Sequence, residues 1–127
     1  MNAPQYTGLI LFAHGSRDSQ WRKPFESILE QLQKDNSQVS ILAFLECMEP
    51  SLSEAIDALV IQGIKKITVV PVFLAVGSHV RKDLPLLLEQ AQQKHPALQI
   101  QASAAIGEQL DVQQAIAQFA LNVSKSL

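Results

Sequence analysis

The 127-residue sequence predicts a single-domain α/β fold, three layers with a four-stranded parallel sheet between helices. Three observations carry that expectation. Four short apolar segments alternate with four amphipathic ones. The apolar segments begin near residues 8, 38, 66 and 97, so each unit spans about thirty residues, the length of a strand–helix–strand step. No linker, low-complexity tract or sequence repeat interrupts the run, so residues 1–127 read as one domain.

The first segment, "GLILFA" (8–13), is rich in strand formers and too short for a helix. In "FESILEQLQK" the residues Phe25, Ile28, Leu29 and Leu32 recur at helical spacing, and Trp21 extends the stripe backwards past Pro24. "QVSILAFLE" (38–46) is the second strand. "PSLSEAIDALVIQG" predicts a helix with Pro50 in its first turn and Gly63 as its stop. "KKITVVPVFLA" (65–75) is apolar nearly throughout, as a central strand covered on both faces should be, with an irregularity expected at Pro71. "DLPLLLEQAQQKH" opens with Asp83 as a cap and Pro85 just inside the helix. "ALQIQASAA" (97–105) reads as a strand with one exposed face, and "DVQQAIAQFALNVSKSL" carries the cleanest helical stripe.

The bulk numbers narrow the class. With 47% hydrophobic and 17% charged residues the chain is globular rather than disordered. A net charge of −2 gives no reason to expect nucleic acid or an anionic membrane as partner. Cys47 is the only cysteine, which excludes an internal disulfide and fits a reducing compartment. The start "MNAPQYTGLILFAHG" has no basic stretch before its short apolar run, so a cytoplasmic location is expected.

In parallel α/β sheets ligands gather beyond the carboxyl ends of the strands. The first strand runs into His14, the second into Glu46, the third through "AVGSH" to His79, and the fourth towards Gly107 and Glu108. Two imidazoles and a carboxylate on one edge form a divalent-metal or acid–base set. Arg17, Arg22, Lys23, Arg81 and Lys82, half of the ten basic residues, follow the two histidines. Such a cluster suits a substrate with several carboxylates or phosphates, while the plainer reading of each residue is a solvated helix face. Gly15 and Ser16 lead into a helix, a pattern that can cradle an anion. Glu49 competes with Glu46 for the carboxylate role, and Glu46 has the alternative of capping the next helix. His95 reads as structural at a helix end, Cys47 and Met48 as packing, and Trp21 as part of its stripe.

"FAHGSRD", "FLECMEPSLSEAI" and "VVPVFLAVGSHVRKDLP" together resemble, in order and spacing, the short CbiX-type chelatases of the class II tetrapyrrole chelatases. The resemblance runs from about residue 8 to about 107. It implies one lobe of the longer, two-lobed enzymes, working as a homodimer. It implies insertion of a divalent metal, Co²⁺ first and Fe²⁺ or Ni²⁺ as alternatives, into sirohydrochlorin on a cobalamin or siroheme route. The metal is then a substrate, and no tightly bound organic cofactor is expected. His14 and His79 correspond to the metal-handling pair and Glu46 to the assisting acid, with Ser16, Arg17, Gly77, Ser78, Arg81 and Lys82 lining the tetrapyrrole. The rival readings are a non-catalytic tetrapyrrole or metal carrier, and a histidine phosphoryl-transfer enzyme. The latter usually has arginine before its histidine, where this chain has Ala13.

Overall fold

The structure, a computed structural model, describes residues 7–35 and 37–126. Strands β1 (Thr7–Ala13), β2 (Val39–Phe44), β3 (Lys66–Pro71) and β4 (Gln99–Ala102) alternate with helices α1 (Lys23–Gln33), α2 (Leu52–Ile61), α3 (Ser78–Lys94) and α4 (Leu110–Lys125). The sheet is parallel throughout, in the order β2-β1-β3-β4. The predicted four-stranded α/β fold is therefore present. β1 lies between β2 and β3, with Leu11 opposite both Leu42 and Val70.

Alternation along β1 sends side chains into two cores. Ile10 and Phe12 join Ile67, Val69, Ile56 and Leu59 beneath α2 and α3. Leu11 and Ala13 join Leu42 and Phe44 beneath α1, where Trp21, Phe25, Leu29 and Leu32 close the layer. Burying side chains of this size contributes about 1.5–3 kcal/mol each, which makes the first of these cores the larger source of stability.

Several boundaries differ from the sequence reading. Pro50 lies before α2 rather than in its first turn, because Ser51 takes the cap: its Oγ accepts from the Glu54 amide, and the Glu54 carboxylate accepts from the Ser51 amide. The bond from the Ser51 amide, with the Ser51 hydroxyl beside it, holds the Glu54 carboxyl below its ordinary value. Gly63 ends the helix as expected, at φ +92°. β3 stops at Pro71, which lacks the amide a longer ladder needs. α3 starts five residues before Asp83, with Gly77 as its cap, so Asp83 and Pro85 both lie inside the helix. Val80, Leu84, Leu87, Leu88 and Ala91 bind its inner face to the core, and that packing outweighs the one backbone bond Pro85 cannot make. β4 is shorter than expected, Gln99–Ala102 instead of 97–105, and Gly107 and Glu108 fall in a short helical turn rather than at a strand end.

Candidate active site

His14 and Glu46 stand where the β1–β2 ladder outruns the two strands. The Leu45 amide donates to the Ala13 carbonyl at 2.9 Å, and the Glu46 amide donates to the His14 carbonyl at 3.1 Å. Gly15 makes this approach possible. It adopts φ +94°, and a Cβ at that position would sit 1.8 Å from the Glu46 carbonyl oxygen. Only glycine meets both conditions.

The clamped loops present their side chains to one another. His14 Nε2 lies 3.0 Å from Oε1 of Glu46, with both side chains more than half exposed, at 54% and 59%. The Phe73 ring backs the imidazole nearly at right angles, with centroids 6.2 Å apart, and makes a similar T-shaped contact with Phe12 in the core. A further glycine supports that loop. Gly107 donates its amide to the Phe73 carbonyl at 3.1 Å, and a Cβ there would lie 1.6 Å from the Leu74 carbonyl oxygen.

His79 is the second residue of α3, not the end of a loop, and its side chain is 82% exposed. Its Nε2 lies 2.9 Å from Asp83 Oδ2 one turn on. It shares the carboxyl edge of the sheet with His14, since α3 begins where β3 has delivered the chain. The structure thus joins His14 with Glu46 and ties His79 to Asp83. Among the described residues no group of three His, Cys, Asp or Glu side chains is gathered closely enough to hold a metal ion.

The remaining candidates divide. Glu46, not Glu49, meets the imidazole, and Ser51 relieves Glu46 of any capping role. Ser16 Oγ accepts from the Asp18 amide, and Asp18 caps the short turn Ser19–Arg22. Arg81 donates from Nη2 to the Val76 carbonyl at 3.1 Å, steadying the loop before α3. Gly77 and Ser78 open that helix and are exposed. Arg17 and Lys82 are exposed and pair with no carboxylate among the described residues. Arg22 is engaged elsewhere, 3.0 Å from Glu26 and over the Phe44 ring, which favours the plain reading of that residue. Trp21 packs on Phe25 and Phe44, and His95 meets Asp57, both structural as expected. Sequence reasoning passed over Phe73 and the contact roles of Gly15 and Gly107. A large aromatic in an otherwise aliphatic loop was the available signal for the first.

A parallel sheet with an exposed imidazole–carboxylate pair at its carboxyl edge places the chain in the class of small α/β proteins whose sites lie beyond the carboxyl ends of their strands. The comparisons narrow the class. The sequence model of the CbiX family matches residues 8–122, and this chain belongs to that family. It is 42% identical over 81 residues to the sirohydrochlorin cobaltochelatase of Saccharolobus solfataricus, covering 64% of this chain and 62% of that protein. It is 38% identical over 82 residues to the enzyme of the same name from Methanosarcina barkeri, covering 64% and 63%. The chain thus matches less than two thirds of the length of these curated relatives. Among solved structures, the CbiX protein of Marinobacter aquaeolei VT8 superposes with a TM-score of 0.84 at 32% identity, over 95% of this chain and 99% of that one. The sirohydrochlorin chelatase SirB of Bacillus subtilis subspecies spizizenii, in complex with cobalt, superposes with a TM-score of 0.80 at 26% identity, over 94% of this chain and 51% of that one. Among the described residues no helix is long and apolar enough to cross a membrane.

Proposed function

We propose that this protein is a chelatase that inserts a divalent metal, cobalt in the first place, into sirohydrochlorin. The observation that carries the reading is the His14–Glu46 pair, 3.0 Å apart at the carboxyl edge, in a chain whose relatives are sirohydrochlorin cobaltochelatases. Metallation exchanges one M²⁺ for two pyrrole N–H protons. A neutral imidazole can hold a borderline divalent ion or accept a proton near neutral pH, and a carboxylate beside it can do the same. In this reading His14 and His79 handle the metal, and Glu46 takes a proton or completes the metal's ligands. Arg17, Arg81 and Lys82 pair with the acid side chains of the macrocycle, whose rim lies against Ser16, Gly77 and Ser78. Two copies work together as a homodimer, so that neither needs a complete ligand set of its own. The compartment is the cytoplasm, where exposed Cys47 stays a free thiol.

The alternative is a carrier that binds the same ligands without turnover. Anaerobic mixing of sirohydrochlorin with Co²⁺, Fe²⁺ or Ni²⁺ separates the two, with the tetrapyrrole spectrum followed at catalytic amounts of protein. Multiple turnovers lost in His14→Ala/His79→Ala are expected. A spectral change that saturates at one equivalent, with no acceleration, would make the protein a carrier.

A further inference from the structure

Phe73 is the one aromatic residue in the loop between β3 and α3, and it is half-buried. Its backbone is pinned from two sides. The Val72 amide donates to the Phe12 carbonyl at 2.7 Å, which carries the β1–β3 pairing past Pro71, and the Gly107 amide donates to the Phe73 carbonyl at 3.1 Å. The ring touches Phe12 and His14, two residues apart on the β1 segment and so on one face of it. The ring centroids are 5.9 and 6.2 Å away and the ring planes are tilted by 82° and 87°. Phe12 is wholly buried and His14 is open to solvent, so Phe73 spans the step from core to site.

Glu46 cannot hold the His14 imidazole by itself. Its own side chain is more than half exposed, and an exposed ion pair must immobilise two solvated side chains for a small gain. An aromatic pair at right angles is favourable beyond its contact area, and here the second ring arrives already fixed. Phe73 also begins the segment that leads to His79, so one ring ties the path of that histidine to the other.

We propose that Phe73 is a positioning residue for metal insertion: it extends the rigidity of the core to the His14 imidazole, which then meets the metal already aimed. The proposal rests on the reading of His14 as a metal-handling residue. Aim has a large effect, because a displacement of about 1 Å at a reacting group can cost about 100-fold in rate.

Three variants and two readouts test the idea. Phe73→Leu keeps an apolar side chain and removes the ring. It is expected to lower kcat for Co²⁺ insertion about 10- to 100-fold while the KM for sirohydrochlorin stays near wild type. Phe73→Tyr restores the ring and is expected to recover most of the rate. Phe25→Leu, which removes a ring from the Trp21–Phe25 stack on the other face of the sheet, controls for lost packing and is expected to leave kcat unchanged. The second readout needs no turnover. Carbon-13 relaxation of the His14 ring in the metal-free protein is expected to show a rigid imidazole in wild type and Phe73→Tyr and a mobile one in Phe73→Leu. A His14 ring equally rigid in Phe73→Leu overturns the proposal, as does an equal fall of kcat in Phe25→Leu. A slow His14→Ala beside a full-rate Phe73→Leu overturns the positioning role alone. A full-rate His14→Ala overturns the metal-handling reading and the positioning role with it.

Discussion

His14 with Glu46 and His95 with Asp57 are the same two kinds of side chain at nearly the same distance, 3.0 and 2.8 Å. Their surroundings differ. His95 and Asp57 are 20% and 32% exposed, Lys94 Nζ lies 2.6 Å from the same carboxylate, and the group ties the end of α3 to the middle of α2. Its partners lie within the fold. His14 and Glu46 are more than half exposed, fixed from behind by Gly15 and Phe73 and open in front. A pair whose partners come from two packed helices is a strut, whereas one braced only from behind is free to meet a ligand.

The largest expected effect falls on the open pair. His14→Ala should slow metal insertion about 100-fold or more, the usual scale for losing an acid–base group, with the thermal midpoint unchanged. An equal loss in His95→Ala would erase the contrast. Gly15→Ala comes next. It should destabilise the protein by about 3 kcal/mol or more in urea unfolding, because it combines a left-handed backbone with a clash against the Glu46 carbonyl. Gly63 has a similar φ of +92° with open space around it, so Gly63→Ala should cost only about 1–2 kcal/mol. On the braced pair, Asp57→Asn should cost about 1 kcal/mol, after discounting for its partial exposure, and leave the insertion rate intact.

The smallest effect is a slope. Hydrogen bonds from Lys94 and then His95 hold the Asp57 carboxyl below its ordinary value. A carboxyl lowered on folding contributes its stability in full above the unfolded value, about 3.9. That contribution fades as pH falls through the lowered folded value. Unfolding curves taken between neutral pH and pH 3 or so should therefore show a shallower acid decline in Asp57→Asn than in wild type. Identical slopes would remove Asp57 from the acid response.

The sheet was legible in the sequence because each strand is a short apolar run between turn signals, and the carboxyl-edge position of His14 and Glu46 followed from that topology. The errors share a cause. Asp83 and Pro85 looked like a helix start because local capping chemistry was weighed without the core that Val80 and Leu84 reach, and that core pulls α3 back to Ser78. Pro50 reads as a first-turn residue, but Ser51 with Glu54 caps the helix and the first turn starts at Leu52. The partner each histidine takes was hidden for a different reason. The residues of the His14–Glu46 contact are 32 positions apart, and only the register of β1 on β2 brings them together. His79 meets Asp83 at a spacing of four, a contact invisible while Asp83 was read as the cap. The stripe on α4 was read correctly, but nothing in its periodicity said that none of its residues would be buried within this chain.

The position of β1 also bears on how the chain is made. Synthesis delivers "GLILFA" first, yet this strand needs β2 on one side and β3 on the other. At about 5–20 residues per second, several seconds pass before Lys66–Pro71 follows it out of the ribosome. During that interval the growing chain holds an apolar strand with a bare backbone edge, the kind of template on which nascent chains stick to one another. Cells making this protein in quantity should therefore lose more of it to inclusion bodies when translation pauses between β2 and β3 than when it pauses after Pro71.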